Sequence, residues 1–233
     1  GNPSSIHREG QAAQAVIEKF RRKLAISLGC SPDEIIFTSS GTESNNMVLK
    51  GVLHSGDHLI TSSYEHPAIL QVIPYLKRKG IEVSLVKPNK NGIVQPESIK
   101  QTIQNNTRLI SVMYVNNELG TINPIMEIAH LSQEKGILFH SDSVHALGKI
   151  PINLNNLQAD FLSMSAHKLY GPKGTGALFI RKGASLLPLI SGGGQETNLR
   201  ASTENIAGIG GFGMAVELAT NKLEENSDHI SHL

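Results

Sequence analysis

Short apolar runs alternate with helical patterns along most of the chain, and this alternation limits the possible folds more than any other feature. Apolar residues recur on one helical face over residues 11–28, and related patterns predict helices over 42–53, 68–79, 96–105 and 125–135. The runs between them predict about seven strands, at residues 35–38, 58–62, 82–86, 109–115, 138–142, 161–165 and 177–180. Strands that alternate with helices are joined by crossovers, so we expect an α/β fold with a mostly parallel sheet and helices on both faces.

The bulk properties exclude several classes of function. The 233 residues are 39% hydrophobic and 18% charged, and 21 basic residues against 20 acidic ones leave a net charge of +1. This balance gives no reason to expect a nucleic acid or an anionic membrane as partner. No apolar run reaches the roughly 18 residues of a membrane span, and no signal peptide is visible. The single cysteine, Cys30, excludes an internal disulfide and fits a reducing compartment, which we expect to be the cytoplasm.

One segment, residues 163–174, carries a pattern that suits covalent chemistry. Lys168 directly follows Ser165-Ala166-His167 and precedes a stretch rich in Gly and Pro. A lysine held beside a hydroxyl and an imidazole is what attachment to a carbonyl group requires. The simpler interpretation, a surface lysine in a loop, is the better one for a lysine taken alone.

The segment resembles the lysine motif of the class V pyridoxal-phosphate enzymes, and most closely that of the NifS/IscS-type cysteine desulfurases. Further stretches that resemble the family follow in the family's order, at residues 1–7, 35–46, 65–66, 115–120, 192–196 and 200–205. The resemblance covers essentially the whole chain. It implies pyridoxal 5'-phosphate as the cofactor and the large domain of the fold-type-I transferases, with a mostly parallel sheet of seven strands.

Several polar residues follow predicted strands, where ligands gather in parallel α/β sheets. Gly41 and Thr42 open a helix, whose first N–H groups can hold a phosphate, although a turn glycine and a helix cap would look the same. His66 follows the strand over 58–62, and such a histidine is more often an ordinary loop residue. Asp142 ends another strand, where a carboxylate can pair with a protonated ring nitrogen or simply cap the next turn.

The resemblance assigns roles to these residues and to others. It implies that Lys168 and His66 are catalytic, Lys168 as the lysine that carries the cofactor and His66 as an imidazole that stacks on its ring. The cofactor-binding set that it implies is Gly41, Thr42, His66, Asn117, Asp142, His145, Ser165, His167, Lys168 and Thr203. Asp142 would pair with the pyridine nitrogen and Asn117 would contact the phenolic oxygen. His145 departs from the family's usual Gln, yet an imidazole can donate the same hydrogen bond.

The function implied by the resemblance is that of a cysteine desulfurase, which converts L-cysteine into L-alanine and an enzyme-bound persulfide. The persulfide would pass to a sulfur-acceptor or scaffold protein, for iron–sulfur cluster assembly or tRNA thiolation. Thr203 matches a residue that reaches the phosphate of a neighbouring subunit, which implies a homodimer. The alternatives are another class V enzyme (a selenocysteine lyase, cystine lyase or aminotransferase) and a truncated domain without catalysis.

The resemblance also predicts how the chain is organised. Residues 1–210 match the large cofactor domain without its first segment, and residues 211–233 are expected to form a helix that leads to an absent C-terminal domain. The family's acceptor cysteine lies in that absent region, so we expect this fragment to be inactive by itself and Cys30 to be structural. The histidines show no metal-ligand spacing, and no metal site is expected.

Overall fold

The computed structural model describes residues 1–232 and contains a seven-stranded sheet with the order β1-β7-β6-β5-β4-β2-β3. The strands are β1 (Ile35–Thr38), β2 (His58–Ser62), β3 (Glu82–Val86), β4 (Thr107–Ser111), β5 (Leu138–Asp142), β6 (Phe161–Ser165) and β7 (Gly176–Ile180). Only β7 runs antiparallel to its neighbours, β1 and β6, and the other pairs are parallel. The predicted α/β fold with a mostly parallel seven-stranded sheet is therefore confirmed.

Helices cover both faces of this sheet. They are α1 (Arg8–Leu28), α2 (Gly41–Val52), α3 (Pro67–Leu70), α4 (Ile73–Arg78), α5 (Pro96–Thr102), α6 (Ile125–Glu134), α7 (Ile206–Asn221) and α8 (Leu223–Ser231). Successive strand residues point to opposite faces. Phe179 accordingly joins a core cluster with α1, α6 and α7, whereas Leu178 joins a second cluster with α2 and α4. Each face is thus sealed by its own apolar core.

Several predicted bounds differ in the structure, since the helix predicted over 11–28 begins at Arg8 and the one predicted over 96–105 ends at Thr102. Two larger differences have a local cause. The helix predicted over residues 68–79 is interrupted between α3 and α4, because Pro74 lacks the N–H that would bond to the carbonyl of Leu70. The strand predicted over 109–115 ends at Ser111. Beyond it, the N–H of Met113 donates to the carboxyl of Glu65 at 3.0 Å instead of continuing the pairing with β2.

The C-terminal helix α7 packs on the same body. α7 lies against α1 so closely that a Cβ at Gly213 would meet the ring of Phe20 at 2.2 Å. This helix runs across the predicted domain boundary at residue 210, and its Phe212 and Val216 are buried in the core. Within residues 1–232, no helix combines the length and the apolar character that crossing a membrane requires.

Candidate active site

A cavity of about 230 Å³ opens where β1, β5 and β6 end and α2 begins. Its wall is formed by Ser40, Gly41, Thr42, Asn45, His66, Met113, Asp142, Val144, His145, Ser165, His167 and Lys168. All the predicted site residues lie in this wall except Asn117 and Thr203. Residues that are more than 120 positions apart in sequence therefore meet at one edge of the sheet, as the parallel strands require.

The start of α2 gives the cavity a wall that suits an anion. Ser40 caps the helix, since its Oγ accepts from the N–H of Glu43 at 3.1 Å. The N–H groups of the first turn have no acceptor inside the helix and carry the positive end of its dipole. Gly41 lacks a Cβ, and a Cβ at this position would lie 2.5 Å from Cγ2 of Val144. This close approach keeps the backbone of the helix start at the cavity wall.

Asp142 lies at the end of β5 and is 5% exposed. Its Oδ2 accepts from Nδ2 of Asn45 at 2.7 Å, and its Oδ1 accepts from the N–H of Val144 at 3.0 Å. Burial raises the pKa of this carboxyl above its ordinary value, against the opposing effect of the two hydrogen bonds. A cationic ring nitrogen placed beside it would favour the charged form, so this carboxyl suits such a partner.

Asn45 was not among the predicted site residues. Its Oδ1 is buried and has no hydrogen-bond partner within the described part of the chain. The signal for it was present in the sequence, because Asn45 stands four residues after Gly41 and so on the same face of α2. Asn45 lines the cavity and donates to Asp142, so it helps to fix the position of that carboxyl.

Lys168 reaches the cavity from a single helical turn, Ala166–Leu169, that directly follows β6. Tyr170 ends this turn in the left-handed region at φ 62°. Oγ of Ser165 lies 2.8 Å from Nδ1 of His167, so a hydroxyl and an imidazole stand next to the lysine. Lys168 itself is half-buried, which leaves its amine at the surface of the cavity.

Two histidines complete the wall. Nδ1 of His66 accepts from the N–H of Ala68 at 3.0 Å, which places the ring proton on Nε2. Burial, aided by the positive charges of Lys149 and Lys168, lowers the pKa of His145 to about 4. The His145 imidazole is therefore neutral at pH 7 and has one nitrogen to donate and one to accept.

Glu65, which was also not predicted, lies behind this wall and is 4% exposed. Its Oε1 accepts from Oγ of Ser62 at 2.5 Å and from the N–H of Met113 at 3.0 Å. Burial raises the pKa of Glu65 to about 8, so the carboxyl is mostly protonated at neutral pH. The contact fixes the backbone of Met113 at the cavity, and the residues involved are too far apart in sequence for a local pattern to indicate it.

The two predicted residues outside the cavity occupy separate places. Asn117 is half-buried in a loop closed by the Val115–Ile122 bridge, and its amide donates to Oε1 of Glu118 at 2.7 Å. Thr203 is exposed, in the segment that precedes α7. Their roles toward a cofactor stay predictions.

Other features of the molecule do not compete with this site. A wider groove of about 640 Å³ lies along β1, but its Arg21 is already bound by both carboxylate oxygens of Glu196. Burial raises the pKa of Cys30 to about 12, which makes its thiol a poor nucleophile. Across residues 1–232, no group of three or more His, Cys, Asp or Glu side chains is arranged to hold a metal ion.

Comparison with known proteins places this chain in a family. Residues 1–233 match the family described as aminotransferase class-V. The chain belongs to the class V aminotransferase family. It is 48% identical to a cysteine desulfurase IscS from Dictyoglomus turgidum, over 100% of this chain and 60% of that protein. The resemblance identified from the motifs is thereby confirmed.

Solved structures agree with the fold. A NifS-like protein superposes with a TM-score of 0.95 at 43% identity, covering 98% of this chain and 64% of that one. A second structure, described as SspA in complex with cysteine, gives a TM-score of 0.90 at 41% identity, over 93% of this chain and 64% of the other. The chain thus spans about three-fifths of the length of these relatives.

Proposed function

We propose that the cavity binds pyridoxal 5'-phosphate and that the chain is the cofactor-binding part of a cysteine desulfurase. The first N–H groups of α2, at Gly41 and Thr42, would hold the phosphate together with Ser165 and His167. The observation that carries this proposal is the cavity itself, where the buried carboxyl of Asp142, which is held by Asn45 and Val144, faces the same space as the Lys168 amine and the anion-binding helix start. These three groups match the ring nitrogen, the aldehyde and the phosphate of this cofactor, respectively.

The cofactor, when bound, supplies an electron sink for bond cleavage at the substrate's α-carbon. Asp142 would hold a positive charge on the ring nitrogen, and Lys168 would provide the amine to which the cofactor attaches. His66 has its proton on Nε2 and lies in the wall, so it can move a proton to or from the bound substrate. His145, neutral at pH 7, would donate to the phenolic oxygen in place of the usual Gln, with Asn117 as a further contact.

The cysteine desulfurase assignment rests on what the relatives are called and on the neighbour in complex with cysteine. In this proposal L-cysteine is the substrate, and its sulfur passes as a persulfide to an acceptor or scaffold protein, for iron–sulfur assembly or tRNA thiolation. We further propose that the protein acts in the cytoplasm as a homodimer. The exposure of Thr203 supports the homodimer, because a residue that reaches a partner's cofactor must lie at the surface.

Cofactor binding is tested by an absorbance titration of the purified chain with pyridoxal 5'-phosphate. We expect a saturable visible band in the wild type and no such band in Lys168→Ala. Lys173→Ala is the matched control, because this neighbouring lysine lies outside the cavity wall. A band that survives in Lys168→Ala and is lost in Lys173→Ala would refute the proposed site.

The substrate class is tested on the loaded chain with L-cysteine and L-aspartate, with free cofactor as the blank for the non-enzymatic reaction of cysteine. A cysteine desulfurase site predicts a spectral change at lower concentrations of L-cysteine than of L-aspartate. A preference for L-aspartate, together with formation of the keto acid, would favour the aminotransferase alternative instead. Sedimentation of the wild type at several concentrations tests the homodimer.

A further inference from the structure

The segment between β7 and α7 is tied to the start of α2 by an ion pair. Nε of Arg200 donates to Oε1 of Glu43 at 2.8 Å, and Nη2 of Arg200 lies 3.4 Å from Oε2. The side chains are 18% and 8% exposed, so the pair is largely shielded from water. An ion pair with this burial is screened less by salt than one on the open surface.

Glu43 occupies a position where its charge matters for an anion. It stands in the first turn of α2, and its Oε2 accepts from the N–H of Ser39 at 2.8 Å, so the carboxylate turns back toward the helix start. Burial opposes its ionisation, but hydrogen bonds from Arg200 and Ser39 lower the pKa of Glu43 below its ordinary value. A permanent negative charge therefore lies at the end of the helix that attracts anions.

This charge creates a conflict with the proposed cofactor site. Gly41 and Thr42, whose N–H groups would bind a phosphate, immediately precede Glu43 in the same turn. Two negative groups so close together repel each other unless a cation lies between or beside them. Arg200 supplies that cation from a separate part of the chain.

We propose that Arg200 is a positioning residue for a phosphate-bearing ligand, because it neutralises Glu43 at the anion-binding start of α2. Arg200 lies outside the cavity wall and acts through Glu43. The inference rests on the proposed function, since it requires that the phosphate of the cofactor binds at this helix start. It predicts an effect that is specific to the phosphate group of the ligand.

A second anchor makes the effect of Arg200 separable from folding. Arg21 binds Glu196 in the same segment with two hydrogen bonds of 2.8 Å, and the N–H of Phe37 donates to Oε2 of Glu196 at 2.8 Å. The segment therefore keeps its attachment to α1 and β1 when the side chain of Arg200 is removed. The ion pair of Lys23 with Glu217, which joins α1 to α7 elsewhere, offers a matched control.

The experiment measures Kd for pyridoxal 5'-phosphate and for pyridoxal, which lacks the phosphate, by absorbance titration. Arg200→Ala should raise Kd for the phosphorylated ligand about tenfold, the scale expected for one uncompensated charge close to another, and leave Kd for pyridoxal unchanged. Adding Glu43→Gln to Arg200→Ala should restore binding, because it removes the repelling charge. Lys23→Ala should leave Kd for both ligands unchanged.

Three results would overturn the inference: an equal loss for both ligands in Arg200→Ala, no loss for either, or failure of Glu43→Gln to rescue. An equal loss of affinity for both ligands would indicate that Arg200 has only a structural role. If instead the proposed function is wrong, the wild type itself gives no visible absorbance band that depends on Lys168. The two failures are therefore distinguishable in one set of titrations.

Discussion

Replacing Glu65 by Gln removes the titratable proton of a single buried group while it preserves the group's shape. Oε1 of Glu65 accepts from Oγ of Ser62 and from the N–H of Met113, and an amide oxygen can accept both bonds. Oε2 is buried and has no partner in the described structure, so an amide nitrogen there loses no bond. We expect Glu65→Gln to fold and to differ from the wild type mainly in how its stability depends on pH.

The magnitude follows from the difference between the folded and unfolded pKa values. The pKa of Glu65 is about 8 in the folded chain, because of burial, and its ordinary value is 4.5. Between these values the folded chain keeps a proton that the unfolded chain has lost, so the stability contributed by Glu65 falls as pH rises. One pKa unit corresponds to about 1.4 kcal/mol, and the loss between pH 5 and pH 8 is about 3 kcal/mol.

Urea unfolding followed by circular dichroism at pH 5, 6, 7 and 8 measures this difference. At pH 5 the free energies of unfolding of the wild type and of Glu65→Gln should agree within about 1 kcal/mol. At pH 8 the variant should have gained about 3 kcal/mol relative to the wild type. Glu225→Gln makes the same residue change at an exposed position, and its curve of unfolding free energy against pH should run parallel to that of the wild type. If the unfolding free energies of Glu65→Gln and the wild type changed with pH in parallel, burial would not raise the pKa of Glu65, and the carboxyl would be ionised in the folded chain.

Two further variants test the cavity and the sheet. Gly41→Ala should weaken binding of pyridoxal 5'-phosphate by about tenfold or more, because the new Cβ would lie 2.5 Å from Cγ2 of Val144. Gly210→Ala is the control, since its new Cβ would lie 3.4 Å from the ring of Phe20, and it should bind the cofactor as the wild type does. In an absorbance titration, equal binding by Gly41→Ala and wild type would contradict the proposed role of the α2 start. Burial lowers the pKa of His140 to about 3, so the wild type should lose stability as pH falls below 6.5. The free-energy difference between the wild type and His140→Leu should therefore narrow by about 3 kcal/mol from pH 7 to pH 4 in urea unfolding, and a constant difference would show that His140 is not neutral in the fold.

The sequence predicts the sheet well because β1, β2, β6 and β7 are buried along their whole length, as strands covered on both faces are, and form short segments rich in apolar residues. The predicted bounds of β2, β3, β5 and β6 agree with the structure residue for residue. The helix over residues 68–79 was predicted as one piece because its apolar pattern continues across Pro74, whose missing N–H interrupts the real helix. A single proline can thus interrupt a helix even where the apolar periodicity continues across it.

The candidate site was predictable where a residue follows a strand and not where it acts through a distant partner. Asp142 ends one strand that the sequence pattern identifies, and Lys168 follows another. The contact between Glu65 and Met113, and that between Glu43 and Arg200, join residues 48 and 157 positions apart. No local pattern encodes such a contact, because it exists only after the sheet has been assembled.

If the cavity binds the cofactor as proposed, a single lysine, Lys168, carries it. Borohydride reduction of the chain loaded with pyridoxal 5'-phosphate, followed by proteolysis and mass spectrometry of the labelled peptide, tests it most directly. We expect one predominant site of modification at Lys168, which is abolished in Lys168→Ala. Label spread over exposed lysines, or as much label in Lys168→Ala as in the wild type, would show that the cavity does not hold the cofactor through this residue.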